Sequence, residues 1–139
     1  MFSIEDLKQK AFQQIDSRVE EIINISKEIL VNPEPGFREV KTSTLVSKKF
    51  AELGIPFRSG LALTGVKGEI STDNPGPTLA LIGELDSLIV NEHPFSDAET
   101  GAAHACGHHC QIGMLIGAAI GLNIPDILST LSGRLVFMA

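Results

Sequence analysis

Thr78-Leu79-Ala80-Leu81-Ile82-Gly83-Glu84-Leu85 is a continuous apolar run of strand length that ends at Asp86, and its reading decides the fold. Such a run, without polar alternation, is the pattern of a central strand covered on both faces. Downstream, Gln111-Ile112-Gly113-Met114-Leu115-Ile116-Gly117-Ala118-Ala119-Ile120-Gly121-Leu122 is nearly all small or apolar, which suits a helix buried in a sheet-containing core. Arg134-Leu135-Val136-Phe137-Met138 then reads as another buried strand. Strand, helix and strand in that order make a β-α-β unit, so the chain is expected to be α/β with parallel strands and a helical crossover. In open sheets of this class ligand sites gather at the carboxyl ends of the strands, which makes Asp86 a functional candidate. Taken alone, it reads slightly better as a residue capping the next turn.

Between the first strand and the buried helix stands His104-Ala105-Cys106-Gly107-His108-His109-Cys110, the densest group of metal-capable side chains in the chain. Cys106 and His108 offer a thiolate and an imidazole two positions apart, both good ligands for a borderline-soft divalent ion such as zinc. Gly107 lets the backbone fold around an ion, and the N-terminus of the helix that follows favours an anionic ligand. By itself a Cys-x-His pair is more often a buried cysteine beside a satisfied core histidine. On a helix His108 and His109 diverge by about 100 degrees, so one ion does not take both. Cys110, one turn beyond Cys106, reads as a small buried hydrophobe.

Upstream, apolar residues recur at three- and four-residue spacing from Ile4 to Ile29, which predicts one helix with Ser3 as its N-cap. Pro33 and Pro35 end it. A second helix is expected over residues 39–53, with Gly54 as its left-handed C-cap. Val66, Gly68 and Ile70 alternate with Lys67 and Glu69, the pattern of a half-exposed edge strand. Residues 71–77 contain Asp73-Asn74-Pro75-Gly76-Pro77, a turn. Residues 91–103 lack periodicity and are expected to loop over the site; their ligand types Glu92, His93, Asp97 and Glu99 read as a solvated acidic loop.

The 139 residues suffice for one domain, and 43% hydrophobic content agrees with a globular chain. A net charge of -6 without any Lys/Arg cluster argues against nucleic acid or an anionic membrane as partner. The longest apolar run, residues 114–122, is far too short to span a bilayer. No basic stretch leads into an apolar run at the N-terminus, so a cytoplasmic location is the default expectation. Two cysteines four residues apart do not make a disulfide framework; they read as ligand, reactive thiol or core filler.

His104-Ala105-Cys106-Gly107-His108 before a small-residue helix and after Leu81-Ile82-Gly83-Glu84-Leu85-Asp86-Ser87-Leu88 resembles the dinuclear-metal amidohydrolases of the aminoacylase and carboxypeptidase superfamily. The likeness is to the branch of hippurate, indole-acetyl-amino-acid and aminobenzoyl-glutamate hydrolases, whose early Pro-Glu-Pro-Gly-Phe signature is matched by residues 33–37. The resemblance implies the N-terminal part of a three-layer catalytic domain, a mostly parallel sheet flanked by helices. It implies Cys106 and His108 as metal ligands and Asp86 as the residue that orients the metal site. It also implies zinc or manganese, with two ions in the complete enzyme, and small-molecule N-acyl amino acids or related amides as substrates. Two positions depart from the pattern: His109 stands where the branch has Asp, and Glu84 where it has Asp two positions before Asp86.

The family's Pro-Ala-Glu-Glu segment, two later histidine ligands and inserted dimerisation domain do not occur in residues 1–139, so the expectation is a catalytic domain incomplete at its C-terminus and inactive alone. Two protein ligands do not fill a catalytic zinc site. The alternatives are a non-catalytic metal-binding module, a subunit completed by a second, C-terminal polypeptide, or a small α/β domain without metal. An incomplete sheet is expected to self-associate through the segment 135–138.

Overall fold

The computed structural model describes residues 2–139. Eleven elements follow in the order α1 (Ile4–Asp16), α2 (Val19–Leu30), α3 (Val40–Glu52), β1 (Phe57–Leu61), β2 (Gly65–Ser71), β3 (Thr78–Ile82), β4 (Leu88–Ile89), β5 (Ala102–Ala103), α4 (His108–Leu122), α5 (Pro125–Leu128) and β6 (Arg134–Met138). The chain is α/β, as the sequence implies. Its main sheet is mixed: in the order β1-β2-β6-β3, only β3 and β6 run parallel. α4 is the crossover between those two, so the β-α-β unit stands as read from sequence. β4 and β5 form a separate two-stranded ribbon, in which β5 falls within the segment 91–103 expected as loop and β4 lies just before it.

The expected single helix over residues 4–29 is two. Ser17 turns its hydroxyl onto the Gln14 carbonyl, and Arg18 leaves helical geometry at φ -122°. The break lets both halves follow α4. Glycines on α4 meet them at close range: a side chain at Gly113 would strike Ser26 of α2, and one at Gly121 would strike Ile15 of α1. Close helix approach therefore comes from the small residues of α4. Arg18 forms a two-point pair with Glu21, and Lys49 of α3 also reaches Glu21. The Arg18 guanidinium, ahead of Lys49, holds the Glu21 carboxyl below the usual carboxylate range.

α3 owes its start to a residue outside it. Glu34 accepts the Lys41 and Thr42 backbone N–H groups and the Thr42 hydroxyl, at 3.0, 3.0 and 3.1 Å, which satisfies donors the first turn leaves free. Phe50 of α3 lies against Gly68 of β2, where an added Cβ would come within 3.0 Å of the ring.

Two strand assignments made from sequence are corrected. β2 is not an edge strand; it lies between β1 and β6, with Val66 and Ile70 buried. β3 is not covered on both faces. It is one of the two outer strands, paired among the described residues to β6 alone, and Leu79 and Ile82 are 60% and 70% exposed. β6 instead sits inside the sheet with Leu135, Val136 and Phe137 buried, so the expected exposed edge at residues 135–138 is occupied on both sides. An apolar run reports that a strand is greasy; which strand it pairs with is decided by distant residues.

One core joins Ile25 and Ile29 of α2, Val46 and Phe50 of α3, Ile112, Leu115, Ile116, Ala119 and Ile120 of α4, and the sheet residues Val66, Ile70, Leu135 and Phe137. Those sheet positions alternate along their strands and so lie on one face. The helices thus cover one face of the sheet, while Lys67, Glu69, Arg134 and Ile82 belong to the other. The second flanking layer of a three-layer domain is not among the described residues. No helix among them is long and apolar enough to cross a membrane.

Candidate metal centre

Parallel pairing of β3 with β6 brings the start of α4 back to the carboxyl end of β3. There the chain leaves the sheet at Gly83, whose N–H bonds to Met138 O, and runs through Glu84, Leu85 and Asp86. His108, the first residue of α4, meets two carboxylates. Its Nδ1 lies 2.9 Å from Asp86 Oδ1 and 2.8 Å from the Asp86 carbonyl oxygen, and its Nε2 lies 3.0 Å from Glu84 Oε2.

Asp86 is set in place from the side. The next residue, Ser87, donates both its backbone N–H and its hydroxyl to the Glu34 carbonyl, at 3.0 and 2.7 Å. A bridge between Pro35 and Ser87 continues this contact. The Pro-Glu-Pro-Gly loop therefore touches the candidate centre through its backbone, while the Glu34 side chain starts α3. Glu84 is held in a reciprocal pair with Gln111 of α4: Glu84 N–H donates to Gln111 Oε1 at 3.1 Å, and Gln111 Nε2 donates to Glu84 Oε2 at 3.2 Å.

With a carboxylate at each ring nitrogen, His108 can be an imidazolium with a proton on each side. It can also be a neutral ring, with its proton on Nδ1 toward Asp86 and a cation between Nε2 and Glu84. The second form is the carboxylate–histidine arrangement that fixes the tautomer of a metal-binding imidazole. The donor chemistry thus fits a divalent ion on Nε2. Cys106 is exposed, two residues before the helix, with Gly107 in the left-handed region at φ 85° making the bend between them. Among the described residues no three His, Cys, Asp or Glu side chains converge closely enough to enclose an ion.

Among the described residues, the His104 ring makes no hydrogen bond to this group, although His108, Asp86 and Glu34 act on it electrostatically. His104 is 3% exposed, and among the described residues neither of its ring nitrogens has a hydrogen-bond partner; the buried Nδ1 of His109 has none either. Their ring centres are 5.6 Å apart. Burial first, and then the charges of His109 and His108, push the His104 pKa down to about 4. Burial also lowers that of His109, with His108 and His93 adding to it. His109 and Cys110 line an apolar groove of about 620 Å³ between α2 and α4.

The structure thus brings Asp86 and His108 into contact and leaves Cys106 at the surface nearby in sequence. Sequence reasoning passed over Glu84 as a mere departure and over Gln111, Ser87 and Glu34. No spacing rule links residues 34, 84, 87 and 111. The one available signal was that Glu84 sits two positions before Asp86, on the same side of an extended segment.

No family model matches the chain. The chain is 37% identical over 136 residues to thermostable carboxypeptidase 2 of Saccharolobus solfataricus, a match covering 95% of this chain and 35% of that protein. It is 38% identical over 101 residues to the IAA-amino acid hydrolase ILR1-like 2 of Arabidopsis thaliana, covering 70% of this chain and 23% of the other. Among solved structures it is similar to the Bacillus subtilis YXEP protein, a dinuclear metal binding peptidase from the M20 family. The TM-score is 0.76 at 29% identity, over 88% of this chain and 35% of that one. The chain therefore spans about a third or less of the length of these relatives.

Proposed function

Because the chain belongs to the dinuclear-metal amidohydrolases of the aminoacylase and carboxypeptidase superfamily, we propose that residues 1–139 contribute the first metal-binding half of an active site that hydrolyses small amides of the N-acyl amino acid type. The observation that carries this reading is the Asp86–His108 contact at the carboxyl end of β3. Cys106 and His108 would hold the ion, zinc or manganese by donor type, with a second ion in the complete enzyme. When bound, a divalent ion supplies the polarisation of amide carbonyl and water on which such hydrolysis depends. Asp86 keeps the His108 proton on Nδ1 and leaves Nε2 free to bind. Glu84, clamped by Gln111, places negative charge at the same nitrogen. The relatives named for carboxypeptidase and IAA-amino acid hydrolase activity support an acyl-amino acid substrate. The two free cysteines are compatible with a cytoplasmic setting.

A second reading is favoured by the lack of three converging ligands among the described residues. In it the chain is a metal-binding module, or a subunit whose site is completed by another polypeptide. One experiment separates an active-site half, completed by further chain or by a second polypeptide, from a non-catalytic metal-binding module. Hippuryl, N-acetyl and indole-acetyl amino acids are incubated with the purified chain and Zn²⁺ or Mn²⁺, with and without the unmatched C-terminal part of a relative supplied in trans. The expected result is no turnover above free metal alone and measurable turnover on complementation, abolished by Cys106→Ser or His108→Gln. Complemented turnover that is indifferent to both substitutions would remove the active-site reading.

A further inference from the structure

We infer that His104 and His109 form a second transition-metal site, facing the α2–α4 groove and separate from any ion on His108. The first observation is an accounting failure. His104 is almost wholly buried, yet both of its ring nitrogens lack partners, and so does the buried Nδ1 of His109. Buried imidazole nitrogens are ordinarily hydrogen-bonded, and three orphaned ones on two neighbouring rings need a reason.

The geometry supplies one. With metal–nitrogen distances of about 2 Å, two imidazoles on one tetrahedral or more open ion have ring centres roughly 5–6 Å apart. The observed separation is 5.6 Å, with the rings tilted 57°. That spacing lies within the range for a shared ion, and the tilt rules out parallel stacking of the rings.

The third observation is the tautomer. Cys110 Sγ lies 3.2 Å from His109 Nε2, so a proton on Nε2 has an acceptor, and the lone pair is then on Nδ1, the atom that is buried without a partner. The neighbour of His109 thus plays the part that Asp86 plays for His108. Successive helical residues point about 100 degrees apart, which sends His108 to the carboxylates and His109 to the groove. The groove, lined by His109 together with Ser26 and the exposed Lys27, gives an ion a way in from the His109 side. Two neutral imidazoles completed by water suit a borderline ion such as Zn²⁺, Co²⁺ or Ni²⁺ better than Mg²⁺ or Ca²⁺.

The test uses the full chain with Cys106→Ser and His108→Gln together, which removes the ligand pair of the proposed function. Thermal unfolding is followed with Zn²⁺, Co²⁺ or Mg²⁺ against a chelator. The expected result is a rise in Tm of about 5 °C or more with saturating Zn²⁺ or Co²⁺ and none with Mg²⁺. Adding His109→Leu or His104→Phe should abolish the rise. The bound cobalt should show a visible spectrum without a thiolate charge-transfer band. His109 is partly exposed on the first turn of α4, so the leucine variant remains informative if the phenylalanine variant does not fold. A metal-induced rise that disappears with Cys106 and His108, one that survives His109→Leu, or no rise at all would each overturn the proposal. The first of these would leave the active-site reading standing.

Discussion

Asp86 grips His108 twice at one atom: its carboxylate Oδ1 is 2.9 Å and its carbonyl oxygen 2.8 Å from Nδ1. The contact spans the end of a strand and the start of a helix 22 positions later, and it leaves Nε2 facing Glu84. Asp86→Ala should weaken Zn²⁺ binding by about 10–100-fold, the usual cost of losing a partner that orients a metal-binding histidine. Asp86→Asn, which retains the carbonyl contacts, should lose less. Isothermal titration of both variants checks the order; equal affinity in wild type and Asp86→Ala would show that the pair is structural only.

Glu34 caps α3 through three hydrogen bonds from Lys41 and Thr42. Glu34→Ala should lower stability by about 1–2 kcal/mol, the range for loss of a helix cap. Because Ser87 binds the Glu34 backbone and not its side chain, ion affinity should change far less than stability. Urea unfolding and metal titration on the same variant separate the two effects.

Gly68→Ala places a methyl group 3.0 Å from the Phe50 ring and 3.1 Å from Ile55 Cγ2. Phe50 and Ile55 are fully or almost fully buried, so neither has room to yield. The variant should lose about 1–3 kcal/mol through overpacking, read as a lower urea midpoint with an unchanged slope.

The sheet ends on β1 and on β3, and the outer side of β3 has no partner among the described residues. Ile82 is exposed there, while Val136 is 4% exposed within β6. If the chain self-associates at micromolar concentration, Ile82→Lys should suppress it and leave the fold intact, as a charge protects an edge. Val136→Lys should instead destabilise the fold, because it forces a charge into a buried position even with Glu69 opposite it on β2. Sedimentation velocity with circular dichroism distinguishes these outcomes.

In the presence of chelator, His104 should make stability depend on pH. Its folded pKa of about 4 lies below the ordinary 6.5, so the folded state refuses a proton that the unfolded state accepts. Its contribution is complete above pH 6.5, falls as pH drops toward 4 and levels off below. A shift of this size corresponds to roughly 3 kcal/mol across that window. Denaturant midpoints at several pH values should show a shallower acid decline in His104→Phe than in wild type; identical profiles would contradict the assignment.

The sequence by itself determined the β-α-β unit and the buried character of α4, which follow from local pattern plus one rule: a crossover helix that links parallel strands begins at the carboxyl end of the first. Asp86 as the residue that orients the site was implied only by the family resemblance, since its local pattern reads as a turn cap. Tertiary structure alone decided that β3 is outermost and β6 inside, since strand order depends on antiparallel pairing of β6 with β2, some 65 residues away, and not on the composition of either strand. It decided the break at Ser17, because two short helices follow the glycine face of α4 where one straight helix would leave it. It also decided the surroundings of Glu84, clamped by Gln111, and of His104, stranded without a partner. Burial and hydrogen bonding of a single side chain are sums over neighbours from distant segments, and no periodicity within one segment records them.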